Sequence, residues 1–84
     1  MSQNQIDDYL WKVKRYLLAK YGTKTADREV EPLEWYIYTG RASATFLGLL
    51  RAKKPYCVAR LLHDGGSTDE VIKRVKNYIN FKGE

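Results

Sequence analysis

Side chains able to engage another molecule are concentrated in SATFLGLLRAKKPYCVARLL, residues 43–62. Arg51, Lys53 and Lys54 precede Pro55, and Tyr56, Arg60 and His63 follow it. A guanidinium offers donors in a planar fork that fits a guanine edge or a phosphate, a lysine supplies a point charge, and a tyrosine bonds a phosphate or stacks its ring. Lys73 and Arg74, with Lys76 and Lys82, form a second cationic run further on. Catalytic chemistry finds no comparable support. His63 and Asp64 are adjacent, so on a helix they point roughly 100° apart and form no dyad. Cys57 and His63 also lie off one face. Glu29, Glu31 and Glu34 surround Pro32, where acidic residues suit a helix N-terminus better than paired acid–base work. One Cys and one His are too few for a zinc site. Gly65-Gly66 lacks the glycine spacing and lysine of a phosphate loop. The expectation is a binding protein without enzymatic activity, cofactor or metal.

The overall balance points the same way. The 84 residues carry a net charge of +5, with a sequence pI of about 9.4, which favours a polyanionic partner. This length makes one domain with one modest core. Seven Tyr and two Trp are many for so short a chain, and their apolar rings with polar tips suit a binding surface as well as a core. The single Cys57 excludes an intrachain disulfide and suits a reducing compartment. Its apolar neighbours predict a small buried side chain. The opening MSQNQIDDYL lacks a basic start followed by an apolar run, so no secretory leader is expected. No apolar stretch approaches membrane-spanning length, and the expected location is the cytoplasm.

Helices must position these groups. Ile6, Tyr9, Leu10, Val13, Leu17 and Tyr21 recur at helical spacing and predict a helix over 5–21 that stops at Gly22. Residues 23–28, TKTADR, read as a loop. Residues 29–40 carry conflicting signals: Pro32 suits a first helical position and Gly40 a stop, yet Trp35 to Tyr38 are β-forming types. We read a short helix over 32–39, with Leu33, Tyr36 and Ile37 inward. Ser43 caps a helix over 43–53 that buries Phe46, Leu47 and Leu50. Pro55 opens the next, over 55–64, with Val58, Leu61 and Leu62 inward and Gly65-Gly66 at its end. Ser67-Thr68-Asp69-Glu70 fits a capping box, followed by a helix over 68–81 that buries Val71, Ile72, Val75, Tyr78 and Ile79. The result is a compact all-α domain of four to five helices with a central helix-turn-helix.

In such a motif the second helix presents its outer face to the major groove, and base and phosphate contacts gather near its N-terminal end. RASATFLGLLRAKKPYCVARLL is similar to the helix-turn-helix of the gamma DNA-binding domain of FtsK-type translocases. In that family a basic residue and Ala-Ser open the first helix, and Ala-Ala-Arg with two aliphatic residues lies in the recognition helix. The matching residues here are Arg41-Ala42-Ser43 and Ala59-Arg60-Leu61-Leu62, at the same separation, in about a quarter of the chain. The resemblance implies that Arg60 and the residues near Tyr56 face DNA. The family carries a β-hairpin wing after its recognition helix, whereas here the Ser67 capping box begins another helix.

The expectation is therefore a duplex DNA-binding protein in a regulatory or accessory role, such as transcription regulation. Arg60 would read a base edge. Arg51, Lys53, Lys54, Lys73 and Arg74 would hold phosphates, with Tyr56 and His63 assisting. A purely structural role is the alternative for the same residues: Lys53 and Lys54 would solvate a turn, and Arg60 would pair with Asp64. A different class of function is a protein-interaction module or inhibitor on an acidic partner, anchored by Trp35, Tyr36 and Tyr38 with Trp11 and Leu18. Trp11 and Leu18, or the stretch from Trp35 to Tyr38, would equally supply a homodimer interface. Single-strand or RNA binding by exposed tyrosines is a third. The location of the exposed aromatics relative to the cations separates these readings.

Overall fold

The computed structural model describes residues 3–82, among which there are five helices and no strand. Helix α1 (Gln3–Tyr21) starts two residues earlier than its stripe predicts and buries Ile6, Tyr9, Leu10, Val13 and Leu17. Gly22, at φ 92°, both ends α1 and opens α2 (Thr23–Tyr38). Its N–H donates to the Leu18 carbonyl and its carbonyl accepts from Ala26 N–H, each at 3.0 Å. One residue thus reverses the chain, in a backbone region glycine enters without the Cβ penalty.

Helix α2 corrects the reading of residues 23–39. The predicted loop over 23–28 is helical, and Pro32 lies in the helix interior instead of its first turn. The inward stripe is Ala26, Val30, Leu33 and Ile37, all buried. An interior proline costs about 3 kcal/mol, while burying Val, Leu and Ile contributes roughly 1.5–3 kcal/mol each, so the continuous helix wins. The β-forming run is divided by this helix: Ile37 points in, Tyr36 is half-buried, and Trp35 and Tyr38 face solvent.

Helix α3 (Ala44–Arg51) is capped by Ser43, whose hydroxyl accepts from Phe46 N–H at 3.1 Å. Helix α4 (Pro55–His63) begins on its proline, and α5 (Thr68–Tyr78) carries the full capping box. Ser67 Oγ accepts from Glu70 N–H at 3.2 Å, and Glu70 Oε1 accepts from Ser67 N–H at 2.8 Å. Helix α5 ends before residue 81, because Asn80 adopts φ 58°. Asn80 N–H donates to the Asn77 carbonyl and Phe81 N–H to the Lys76 carbonyl, the pair of bonds that closes a left-handed helix end. This turn lays Phe81 edge-on against buried Phe46 at 5.5 Å, and Tyr36 meets Phe46 from α2 at 5.1 Å.

Helix α1 packs on α2 and α4, α5 packs on α2 and α4, and α3 rests more lightly on α1. The core departs from the predicted stripes at their edges. Tyr21 and Tyr78 are exposed, and Tyr36, Leu47 and Leu61 are half-buried. Ala26, Val30 and Ala59 are buried in addition. Among the described residues, no helix is long and apolar enough to cross a membrane.

Candidate nucleic-acid interface

The basic elbow is pinned to the core through its backbone. The Tyr9 hydroxyl, from the buried face of α1, donates to the Lys53 carbonyl at 2.8 Å. Burial, then the neighbouring Tyr78 and Cys57, push the Tyr9 hydroxyl well above the usual tyrosine range. Lys54 stands at the N-cap of α4 in an extended conformation, and its carbonyl accepts from Cys57 N–H at 3.0 Å. From this start, burial of Val58, Ala59 and Leu62 fixes the rotation of α4 and turns Arg60 to solvent.

Arg60 makes no ion pair or hydrogen bond with any described residue, so the pairing with Asp64 considered from the sequence does not form. Arg51, at the end of α3, is exposed and equally unpaired. Lys54 is exposed, with its Nζ 6.0 Å from the Tyr56 ring, and Tyr56 is 43% exposed. Two α1 residues extend this group and were missed from the sequence. The Tyr16 ring lies 6.1 Å from Tyr56, and Lys20 Nζ sits 5.6 Å from Tyr16. Their spacing of four puts them on one edge of α1 but does not show which helix that edge meets.

Other predicted contact residues are engaged elsewhere. Lys53 is half-buried, with Nζ 5.1 Å from the Tyr78 ring. His63 Nδ1 lies 2.9 Å from Glu29 Oε1, and its ring stacks on Tyr21 with centroids 3.7 Å apart. It therefore ties α4 to α1 and α2. Arg74 donates from Nη1 to the Leu61 carbonyl at 2.8 Å and from Nη2 to the Gly65 carbonyl at 2.9 Å. Both of its anchors lie at the C-terminal end of α4, where carbonyls lack helical donors. Lys73 is exposed but lines a groove between α2 and α5, apart from the α4 face. Cys57 is half-buried, less enclosed than predicted, and shares a hydrogen bond with Tyr78 that is the first cause of that hydroxyl's raised pKa.

The second set of aromatics is largely exposed. Trp35 is 63%, Trp11 54% and Tyr38 49% exposed, and Leu18 also faces solvent. Trp11 and Leu18 do not pack in the core: helical phase puts them on the ridge beside Asp7 and Lys14, the α1 residues that bond Tyr38 and Asp27 of α2. The Tyr38 hydroxyl donates to the Asp7 carboxylate. Burial and that bond push Tyr38 up to about 12. Tyr36 packs on Phe46 and belongs to the core edge.

No known protein family matches the chain, and neither a curated protein nor a solved structure is similar to it.

Proposed function

We propose that the protein binds nucleic acid, duplex DNA, through the exposed face of α4 and the turn before it. The observation that carries this reading is Arg60, unpaired on the outer side of α4, with Lys54 and Tyr56 toward the same helix's N-terminus. Helix α4 has 9 residues, a length of about 13 Å, and a major groove about 12 Å wide admits such a helix. Arg60 reads a base edge. Lys54, Arg51 and Lys20 neutralise phosphates, and the Tyr16–Tyr56 pair contacts the backbone between them. The resemblance of residues 41–62 to the FtsK-type helix-turn-helix is an expectation from the sequence that implies the same role for Arg60. A nucleic-acid-binding role and one unpaired cysteine fit a cytoplasmic protein.

Arg60→Ala tests the assignment. It should weaken specific duplex binding by ~1–3 kcal/mol with the helical fold unchanged. Unaltered affinity, measured by fluorescence anisotropy, removes Arg60 from the interface. Exposure of Trp11, Trp35 and Tyr38 favours a second reading, a protein-docking or self-association surface, since such side chains dominate interface hot spots.

A further inference from the structure

A groove of about 800 Å³ lies between α2 and α5, and no residue of α4 lines it. That size falls within the roughly 300–1,000 Å³ of small-ligand sites. Three cations line it: Arg41 from the α2–α3 connection, and Lys73 and Lys76, three apart on α5. None of the three forms an ion pair with a described residue. Arg41 is placed by the end of α2, where its N–H donates to the Tyr36 carbonyl at 3.2 Å. Lys76 is held over aromatic surface, its Nζ 5.0 Å from the Tyr36 ring and 6.0 Å from Phe81. Trp35 also lines the groove and is 63% exposed.

Glu31 and Asp69 line the same groove and are also unpaired. They disfavour a simple polyanion as the whole ligand and provide acceptors for hydroxyl or amine donors. An exposed indole, three unpaired cations and two carboxylate acceptors lining one groove suit a planar base, a phosphate and a sugar. We infer that this groove is a nucleotide site, with the base on Trp35, the phosphate among Arg41, Lys73 and Lys76, and sugar or base donors on Glu31 and Asp69. The ligand is a free nucleotide or one nucleotide of a strand. The site is independent of the α4 reading.

Trp35 is its own reporter once the other tryptophan is removed as Trp11→Phe, an exposed position. Fluorescence of that protein is titrated with adenosine triphosphate, adenosine, inorganic phosphate and a short single-stranded oligonucleotide. Saturable quenching by the triphosphate, weaker by roughly tenfold or more for adenosine and after Lys73→Ala with Lys76→Ala, is the expected result. Saturation only by the oligonucleotide assigns the site to a strand. Arg41→Ala gives the same loss without touching the Lys76 ring contacts. Arg60→Ala leaves the quenching unchanged, so failure of the α4 reading is seen separately. No saturable quenching by either nucleotide ligand, equal quenching by adenosine, or full affinity in both cation variants overturns the inference.

Discussion

Replacing Arg74 with methionine removes a guanidinium that bridges two carbonyls at the end of α4 while keeping an apolar stem. Gly65 N–H turns to the Leu62 carbonyl, leaving the Leu61 carbonyl to Arg74 Nη1 at 2.8 Å, and Nη2 takes the Gly65 carbonyl at 2.9 Å. Hydrogen bonds to charged groups contribute about 1.5–3 kcal/mol each. Arg74 is half-buried, so water can replace part of that, and we take about 2–3 kcal/mol for the pair. A domain of this length has a total stability of roughly 4–12 kcal/mol, so the loss is a large share. With a urea slope of about 1 kcal/mol per molar, the midpoint should fall by about 2–3 M. Arg74→Lys should recover only part of this, because an ammonium lacks the fork that spans both carbonyls. The assay is urea unfolding followed by helical circular dichroism. A midpoint equal to wild type would refute the clamp. So would lost duplex affinity in a variant of unchanged stability, which would return Arg74 to the phosphate contacts.

The remaining predictions concern caps and protons. Ser67→Ala should cost ~1 kcal/mol by removing the N-cap acceptor of α5, read as a lower denaturation midpoint. Hydrogen bonds from Ser67 hold Glu70 below its ordinary 4.5, so its stabilising contribution is present above that value and is lost as pH falls through the lower, folded pKa. Glu70→Gln keeps the capping geometry and should remove this part of the acid dependence in thermal melts. Tyr38 is raised from 10.0 to about 12 and Tyr9 is raised further, so their contributions are complete below pH 10 and are lost as pH climbs through the folded values. Tyrosinate absorbance should show these two ionising with or after alkaline unfolding. Ionisation of all seven tyrosines near 10 in the folded protein would contradict the burial of Tyr9.

Local signals of strong chemistry were legible in the sequence. Ser43, Pro55 and Ser67 start helices where their side chains predict, because each acts on its own first turn. The extent of α2 was not legible. Its inward stripe begins with Ala26 in a polar stretch, and Pro32 is a start signal that burial on both sides overrides. At the candidate interface, helical phase alone places Arg60 outward. The engagement of His63 by Glu29 and Tyr21, and of Arg74 by Leu61 and Gly65, depends on contacts between residues 9 to 42 positions apart. Tyr16 and Lys20 join Tyr56 for the same reason, since only the docking of α1 on α4 brings them together. Spacing along one helix carries none of that information.

The most direct test of the α4 reading is the salt dependence of binding to labelled duplex DNA, single-stranded DNA and RNA, followed by fluorescence anisotropy. With Arg51, Lys54 and Lys20 on phosphates, the duplex should bind best, and its affinity should fall with a log–log slope of about −2.7, at roughly 0.9 per phosphate. No duplex binding even at low salt, or a preference for single strands with no steep duplex slope, would contradict the assignment of this face to duplex DNA.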